Sequence, residues 1–152
     1  FRVVTLILIV VALVRRRLRL ALFLVVTIEL SGPLTELAKY LADRPRPATA
    51  FVDAASTAFP SGHALGVLVA VLALLTVAWP TLRRPLRTWL VVLGAVVVIA
   101  IGVGRVVLNV HHPSDVLAGW ALGYAYFAAC VLLIRPSITA ADEIPAVPGS
   151  AR

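Results

Sequence analysis

The chain has 152 residues, of which 61% are hydrophobic and 14% are charged. Because a soluble domain is nearer half apolar and about a quarter charged, this composition excludes an ordinary soluble domain and indicates an integral membrane protein. The formal charge of +7 does not predict a nucleic-acid partner, since the basic residues stand in short clusters between apolar runs and are not interleaved with aromatic residues.

Five apolar runs follow one another along the chain, and each predicts a helix. The runs are Phe1–Val14, Leu18–Tyr40, Ala64–Trp79, Trp89–Val103 and Val116–Ile134. A full span takes roughly 20 residues, so the first run is short; the chain also begins with Phe1 and contains no Met, and we expect a preceding part to be missing. Gly32-Pro33 should kink the second run rather than end it. The predicted fold class is an all-α, polytopic transmembrane helical bundle with about five spans.

Arginine clusters between the runs predict the orientation in the membrane. Arg15–Arg19, Arg83–Arg87 and Arg135 all fall on one side if every run crosses once, and by the positive-inside rule that side is the cytoplasm. The opposite side receives Lys39–Phe59 and Gly104–Asp115. We therefore expect these two connecting segments to face outward.

The domain organisation is predicted to be simple. Residues 1–135 hold all five apolar runs and form one transmembrane domain. Residues 136–152 are polar, contain three prolines and show no periodicity, so we expect a flexible cytoplasmic tail.

Three polar patches fall on the predicted outer side, each next to a helix end. They are KYLADRPRP (39–47), PSGH (60–63) and GRVVLNVHHPSD (104–115). Polar groups at membrane depth cost energy unless they are paired or hydrated, so they are functional candidates. Lys39, Arg46 and Arg105 supply three cations without a nearby surplus of acid, which suits an anion with several oxygens, such as a phosphate.

The second patch predicts a seat for that anion. Ser61 follows Pro60 and can cap the next helix, whose free N–H groups would then point at a phosphate. Gly62 lets the backbone approach closely.

The second and third patches also supply two imidazoles. His111 and Asp115 are four residues apart around Pro113, which suits a first helical turn. Asp115 can therefore reach one ring nitrogen of His111 and leave the other free to attack. His63 is a second imidazole that could serve as general acid. Together with the cations, these groups suffice for phosphoryl transfer without a metal or other cofactor.

The spacing of these residues resembles the type 2 phosphatidic acid phosphatase family. Its first motif is matched by Lys39, six residues, then Arg46-Pro47, and its second by Pro60–His63. Its third is matched by Arg105, five residues, His111, three residues, then Asp115. The family usually has Ser before that arginine, where this chain has Gly104.

The resemblance implies an integral membrane phosphatase, in a bacterial plasma membrane, that acts on a lipid phosphate or pyrophosphate. It implies a helical core of six spans, so the first family helix would be absent here, with the active site facing outward. Catalysis would use a phosphohistidine on His111, oriented by Asp115, with His63 protonating the leaving oxygen. The implied phosphate-binding residues are Lys39, Arg46, Ser61, Gly62 and Arg105.

Several alternatives remain at this stage. The chain could be a lipid phosphotransferase, a vanadate-dependent haloperoxidase (a soluble class, disfavoured by the hydrophobicity) or a non-catalytic lipid-binding protein. A zinc site from His63, His111, His112 and Asp115 is disfavoured by the surrounding cations. Arg44 lies outside the motif spacing and is interpreted as a headgroup anchor. The phosphoryl group alone does not distinguish phosphatidic acid, phosphatidylglycerophosphate and polyprenyl pyrophosphate, and the oligomeric state stays open.

Overall fold

The computed structural model describes residues 2–46 and 56–136, and all regular structure within them is helical. The helices are α1 (Arg2–Val14), α2 (Leu18–Leu24), α3 (Ser31–Ala42), α4 (Gly62–Ala78), α5 (Arg84–Val107) and α6 (Pro113–Ile134). A π-helical segment, Val25–Glu29, joins α2 to α3, and a 3₁₀ turn, Trp79–Thr81, follows α4. The all-α prediction is confirmed.

Four segments of the described chain are long and apolar enough to cross a membrane. They are Leu18–Ala42, Gly62–Thr81, Arg84–Val107 and Pro113–Ile134. The first predicted run forms α1, whose 13 residues extend about 20 Å at 1.5 Å per residue and so fall short of a full span. The protein is thus a polytopic, helical integral membrane protein.

The second run does not end at Gly32-Pro33, as predicted, and continues as one span from Leu18 to Ala42, with the π-helical segment just before that pair. Pro33 has no N–H and cannot bond to the preceding turn, and a wider turn leaves carbonyls without their usual partners. Side chains replace them: the Ser31 hydroxyl donates to the Ile28 carbonyl at 2.6 Å, and the Tyr126 hydroxyl of α6 donates to the Val26 carbonyl. Because lipid offers no hydrogen bonds, these two contacts let the span continue through the interruption.

Helix α4 lies at the centre and contacts α3, α5 and α6. Glycines allow α6 to approach it closely: a methyl group at Gly119 would lie 2.6 Å from the Ser61 carbonyl oxygen, and one at Gly123 would lie 3.2 Å from that of Leu65. The spacing of Gly119 and Gly123 therefore marks close helix packing. Gly66 does not, because the space a methyl group would occupy there is open to at least 4 Å among the described residues.

Hydrogen bonds gather the three polar patches at one end of the bundle. The Ser61 N–H donates to the Asp115 carbonyl at 2.9 Å, and Arg46 Nη1 donates to the Val110 carbonyl at 2.8 Å. Arg83–Arg87 lie at the other end of α4 and α5, where α5 begins. The predicted grouping of the patches is confirmed, whereas the tail predicted from residue 136 onward lies outside the described residues apart from Pro136.

Candidate active site

The start of α6 holds a fully buried carboxylate. His112 precedes the helix, Pro113 is its first residue as predicted, and Asp115 is its third. The side chain of Asp115 has no exposed surface, and both of its oxygens are occupied. Oδ2 accepts from the His112 N–H at 2.8 Å, and Oδ1 accepts from Arg44 Nη1 at 2.8 Å. Burial of a charge requires such partners.

His111 lies beside this carboxylate but is not hydrogen-bonded to it. Its residue surface is 3% exposed, and Nδ1 lies 3.7 Å from Asp115 Oδ2, which is too long for a hydrogen bond. The predicted His111–Asp115 hydrogen bond is therefore not formed in this structure: Oδ2 lies on the His111 side of the carboxylate but accepts from the His112 N–H. Catalytic hydrogen bonds are often long without substrate and tighten in the complex.

The environment of His111 favours the neutral imidazole. Burial lowers its pKa most, and the positive charge of Arg46 lowers it further. A hydrogen bond with the backbone of Ala58 and the charge of Asp115 raise the pKa, while Arg105 lowers it, and the result is a pKa of about 4. At neutral pH the side chain is thus uncharged, which is the form of an imidazole that can attack phosphorus.

Ser56 joins the two cations of the first patch. Lys39 Nζ donates to Ser56 Oγ at 2.7 Å and lies 3.5 Å from Glu36 Oε1. Arg46 Nε donates to the Ser56 carbonyl at 2.6 Å, and Nη2 to its Oγ at 3.3 Å. A bond from Arg46 Nη1 to the Val110 carbonyl, at 2.8 Å, ties this group to the third patch. Both cations are held in place before any anion binds.

His63 joins the same site from α4. It is the second residue of that helix, and its side chain is exposed. The charges of Arg105, Lys39 and Arg46 all act on its imidazole. The structure therefore brings His63 together with the three cations that the sequence singled out.

Ser61 occupies the position before α4 in an extended conformation, as a capping residue would. Its side chain does not make the predicted capping bond, and its N–H is used by the Asp115 carbonyl rather than left free. Gly62 permits close approach of α3, since a methyl group there would lie 2.9 Å from Thr35 Cγ2. The predicted phosphate-binding turn thus has Ser61 and Gly62 at the start of α4, but its hydrogen bonds differ from those predicted.

Three buried polar atoms of the site have no hydrogen-bond partner within the described residues: Ser61 Oγ, Arg105 Nε and His111 Nδ1. Buried polar atoms ordinarily find partners, so this grouping fits a ligand with several oxygens. No group of three or more His, Cys, Asp or Glu side chains in the described ranges could hold a metal ion, which leaves the zinc alternative without support there.

A groove of about 550 Å³ runs between α3 and α4 and reaches the site. Lys39, Glu36 and His63 line it near the site, and the remainder is lined by small, hydroxyl-bearing and apolar residues together with Glu29. Its lining comprises Ile28, Glu29, Ser31, Gly32, Thr35, Glu36, Lys39, Gly62, His63, Gly66 and Val67. Glu29, which has no role in the motif pattern, therefore lies along this groove.

The sequence patterns did not identify two residues of the site, Arg44 and Ser56. Arg44 was interpreted as a headgroup anchor, which is wrong, since it contacts the buried carboxylate of Asp115 at 2.8 Å. The one available signal was a further cation two residues before Arg46. Ser56 gave no signal beyond being a polar residue in the segment that leads to Pro60.

Comparisons with known proteins agree with this geometry. A family model described as the PAP2 superfamily matches residues 20–138. Over 116 residues the chain is 32% identical to an undecaprenyl-diphosphatase from Sulfolobus acidocaldarius, covering 72% of this chain and 52% of that protein. Over 97 residues it is 31% identical to phosphatidylglycerophosphatase B from Bacillus subtilis, covering 62% and 48%. The chain spans about half the length of these curated relatives.

A solved structure shares the arrangement of helices. The crystal structure of a transmembrane PAP2-type phosphatidylglycerolphosphate phosphatase from Bacillus subtilis matches with a TM-score of 0.67 and 26% identity, over 76% of this chain and 59% of that one. The family match contains all three polar patches, so the resemblance seen in the motifs is confirmed. This chain belongs to the PAP2 superfamily.

Proposed function

We propose that this protein is a membrane phosphatase that hydrolyses a lipid phosphate or pyrophosphate through a phosphohistidine on His111. The observation that supports it is the gathering of three cations, two imidazoles and unpaired buried polar atoms at one end of the bundle. A metal-free phosphoryl-transfer site needs a nucleophile, an acid and a cradle for the phosphoryl oxygens, and these groups supply all three.

In the first step, neutral His111 attacks the phosphorus. Nδ1 is the ring nitrogen near Asp115, so the opposite nitrogen, Nε2, gives up the hydrogen bond with the Ala58 backbone and forms the P–N bond while the P–O bond to the lipid breaks. The lipid oxygen takes a proton from His63 as it leaves. Asp115 stabilises the positive charge that develops on His111.

In the second step, water replaces the histidine. Its oxygen forms a bond to phosphorus, the P–N bond breaks, and His63 accepts a proton from the water, which replaces the one that it gave to the lipid oxygen in the first step. The products are inorganic phosphate and the lipid alcohol (or the lipid monophosphate, from a pyrophosphate), with both histidines restored.

Lys39, Arg46 and Arg105, with Ser61 Oγ, are proposed to hold the phosphoryl oxygens. Fixed cations stabilise the charge of the transition state without reorganising, so the reaction should need no divalent ion. Activity that is unchanged by a chelator would support this, and activity that is lost to the chelator and restored by a metal would contradict it.

The groove between α3 and α4 supports a lipid substrate. It is continuous with the site at Lys39, Gly62 and His63, and it extends past Ile28 and Val67. A phosphate bound at the site could therefore keep its apolar chain between two helices, facing the bilayer. The site is proposed to face outward, opposite the arginine-rich ends.

The deciding experiment is phosphate release by the purified full chain in detergent. Phosphatidic acid, phosphatidylglycerophosphate and a polyprenyl pyrophosphate would be compared with nitrophenyl phosphate, which carries no lipid tail. We expect release from at least one lipid, with a kcat/KM above that for nitrophenyl phosphate. Transfer of the phosphoryl group to an added acceptor, with no free phosphate, would favour a phosphotransferase. Lipid binding without turnover would favour a non-catalytic protein.

A further inference from the structure

We propose that Arg44 is a positioning residue for the catalytic carboxylate: its guanidinium holds Asp115 in place and so sets what that carboxylate presents to His111. The inference rests on the proposed function, because it concerns the residues assigned there. Arg44 lies outside the motif spacing that identifies the family's site, and the assignment comes from its contacts.

Arg44 makes two contacts at the start of α6. Nη1 donates to Asp115 Oδ1 at 2.8 Å and to Ser114 Oγ at 2.9 Å. The Arg44 side chain is 40% exposed, whereas that of Asp115 has no exposed surface. A carboxylate without solvent depends on such a partner, because removal of one member of a buried ion pair leaves an uncompensated charge.

The two carboxylate oxygens of Asp115 have different hydrogen-bond partners. Oδ1 is taken by Arg44, while Oδ2 accepts from the His112 N–H at 2.8 Å and lies 3.7 Å from His111 Nδ1. With Oδ1 fixed from one side, Oδ2 is turned toward His111. The guanidinium thus orients the carboxylate, although it does not itself reach the imidazole.

Through Asp115, Arg44 should also affect the charge that His111 experiences. The charged groups that act on His111 are Arg46 from the segment after α3, Arg105 from α5 and Asp115 from α6. Arg44 offsets part of the Asp115 charge. Without Arg44, the carboxylate would stabilise protonated His111 more strongly, and a larger share of the nucleophile would be protonated and inactive at mildly acid pH.

The test compares wild type with Arg44→Gln, Arg44→Lys and, as a matched control, Arg84→Gln at the opposite end of the bundle. The chain has three histidines, so the His111 ring resonance can be assigned in the purified full chain with His63→Gln and His112→Gln. We expect Arg44→Gln to raise the pKa of His111 by about one unit, the lower end of the effect of a close charge. We also expect kcat to fall roughly 10- to 100-fold, as when an orienting partner is removed from a ligating histidine. Arg84→Gln should change neither quantity.

Arg44→Lys keeps the positive charge but replaces the rigid, planar guanidinium, whose Nη1 contacts both Asp115 and Ser114, with an ammonium on a flexible stem. It should leave the pKa of His111 near its wild-type value and still lower kcat severalfold, and Arg44→Lys with wild-type kcat would overturn the assignment. So would an unchanged pKa of His111 in Arg44→Gln, even with a loss of activity, since a purely structural role predicts that result. If the wild-type protein releases no phosphate, the proposed function fails, while the histidine titration still decides this inference.

Discussion

The two faces of α4 use glycine in opposite ways. Against α6, a methyl group at Gly119 would meet the Ser61 carbonyl oxygen at 2.6 Å, so that seam is closed backbone to backbone. Against α3, methyl groups at Gly32 and Gly66 would meet nothing within 4 Å in the described part of the chain, and both residues line the groove. Glycine permits contact in the seam with α6, whereas in the seam with α3 Gly32 and Gly66 preserve space along the groove and Gly62 alone lies close to Thr35.

The two histidines follow the same division. His111 is 3% exposed and lies beside the closed seam, whereas His63 is exposed and lines the groove. A nucleophile must be held at a fixed distance from phosphorus, while a general acid must lie on the side where the leaving lipid oxygen and its chain are bound. The closed seam suits the first task, and the groove suits the second.

The largest expected effect separates these two histidines. His111→Ala removes the nucleophile, so every substrate should fail alike. His63→Ala removes an acid that matters only for a poor leaving group, and general acid catalysis is worth roughly 10²–10⁴-fold. We expect His63→Ala to lose about that much with a lipid phosphate but far less in the burst of nitrophenol from nitrophenyl phosphate.

The burst is the informative signal, because His63 is also the base proposed for the second step, so steady turnover should fall with both substrates. His112→Ala is the matched control and should keep both activities. Equal loss of the burst and of lipid cleavage in His63→Ala would show that His63 is not the general acid.

A smaller effect is expected from overpacking the close contact between α4 and α6. Gly119→Ala places a methyl group against backbone that cannot move aside, and overpacking of this kind typically costs about 1–3 kcal/mol. The free energy of unfolding in mixed micelles should fall by this amount, while Gly66→Ala, on the open face, should leave it nearly unchanged. Equal destabilisation by the two substitutions would contradict the contrast between the faces.

On the open face, Gly66→Leu should change substrate preference rather than stability. A leucine there would project into the groove, where the structure leaves room. We expect kcat/KM for the lipid substrate to fall roughly tenfold, the low end for a change of this size in an apolar pocket, while that for nitrophenyl phosphate stays within about twofold. A parallel loss with both substrates would place the lipid chain elsewhere.

The smallest effect concerns Glu36, whose carboxylate lies 3.5 Å from Lys39 Nζ with a side chain 69% exposed. This pair competes with a bound phosphate for the lysine. Because exposed ion pairs contribute about 0.2–1 kcal/mol, Glu36→Gln should lower the Ki of inorganic phosphate about two- to fivefold. Glu29→Gln removes a carboxylate from the same groove, ten residues before Lys39, and should not change the Ki.

The sequence predicted the helices and most of the site because both depend on local spacing. Apolar runs mark spans, and residues next to helix ends on one membrane side must meet. This logic placed Lys39, His63, Arg105 and His111 together, and no tertiary contact was needed to find them.

What the sequence missed depends on packing between distant segments. Arg44 and Asp115 are 71 positions apart, and Lys39 and Ser56 are 17 apart, so no periodicity links them. The capping bond expected of the Ser61 side chain is absent, and the main-chain N–H of Ser61 donates instead to the Asp115 carbonyl of α6, a contact that no local pattern predicts. The π-helical segment likewise depends on Tyr126, which the second apolar run does not contain.

The bond between the Ser61 N–H and the Asp115 carbonyl joins main chain to main chain. Replacing either side chain leaves that bond intact. An alanine scan of the site would therefore detect the contributions of the cations and imidazoles but not that of the main-chain bond that aligns them. An amide-to-ester exchange at residue 61, made by chemical synthesis or semisynthesis, would remove the N–H alone. The most informative variant of this contact is therefore a change to the main chain, which no substitution among the twenty encoded amino acids can make.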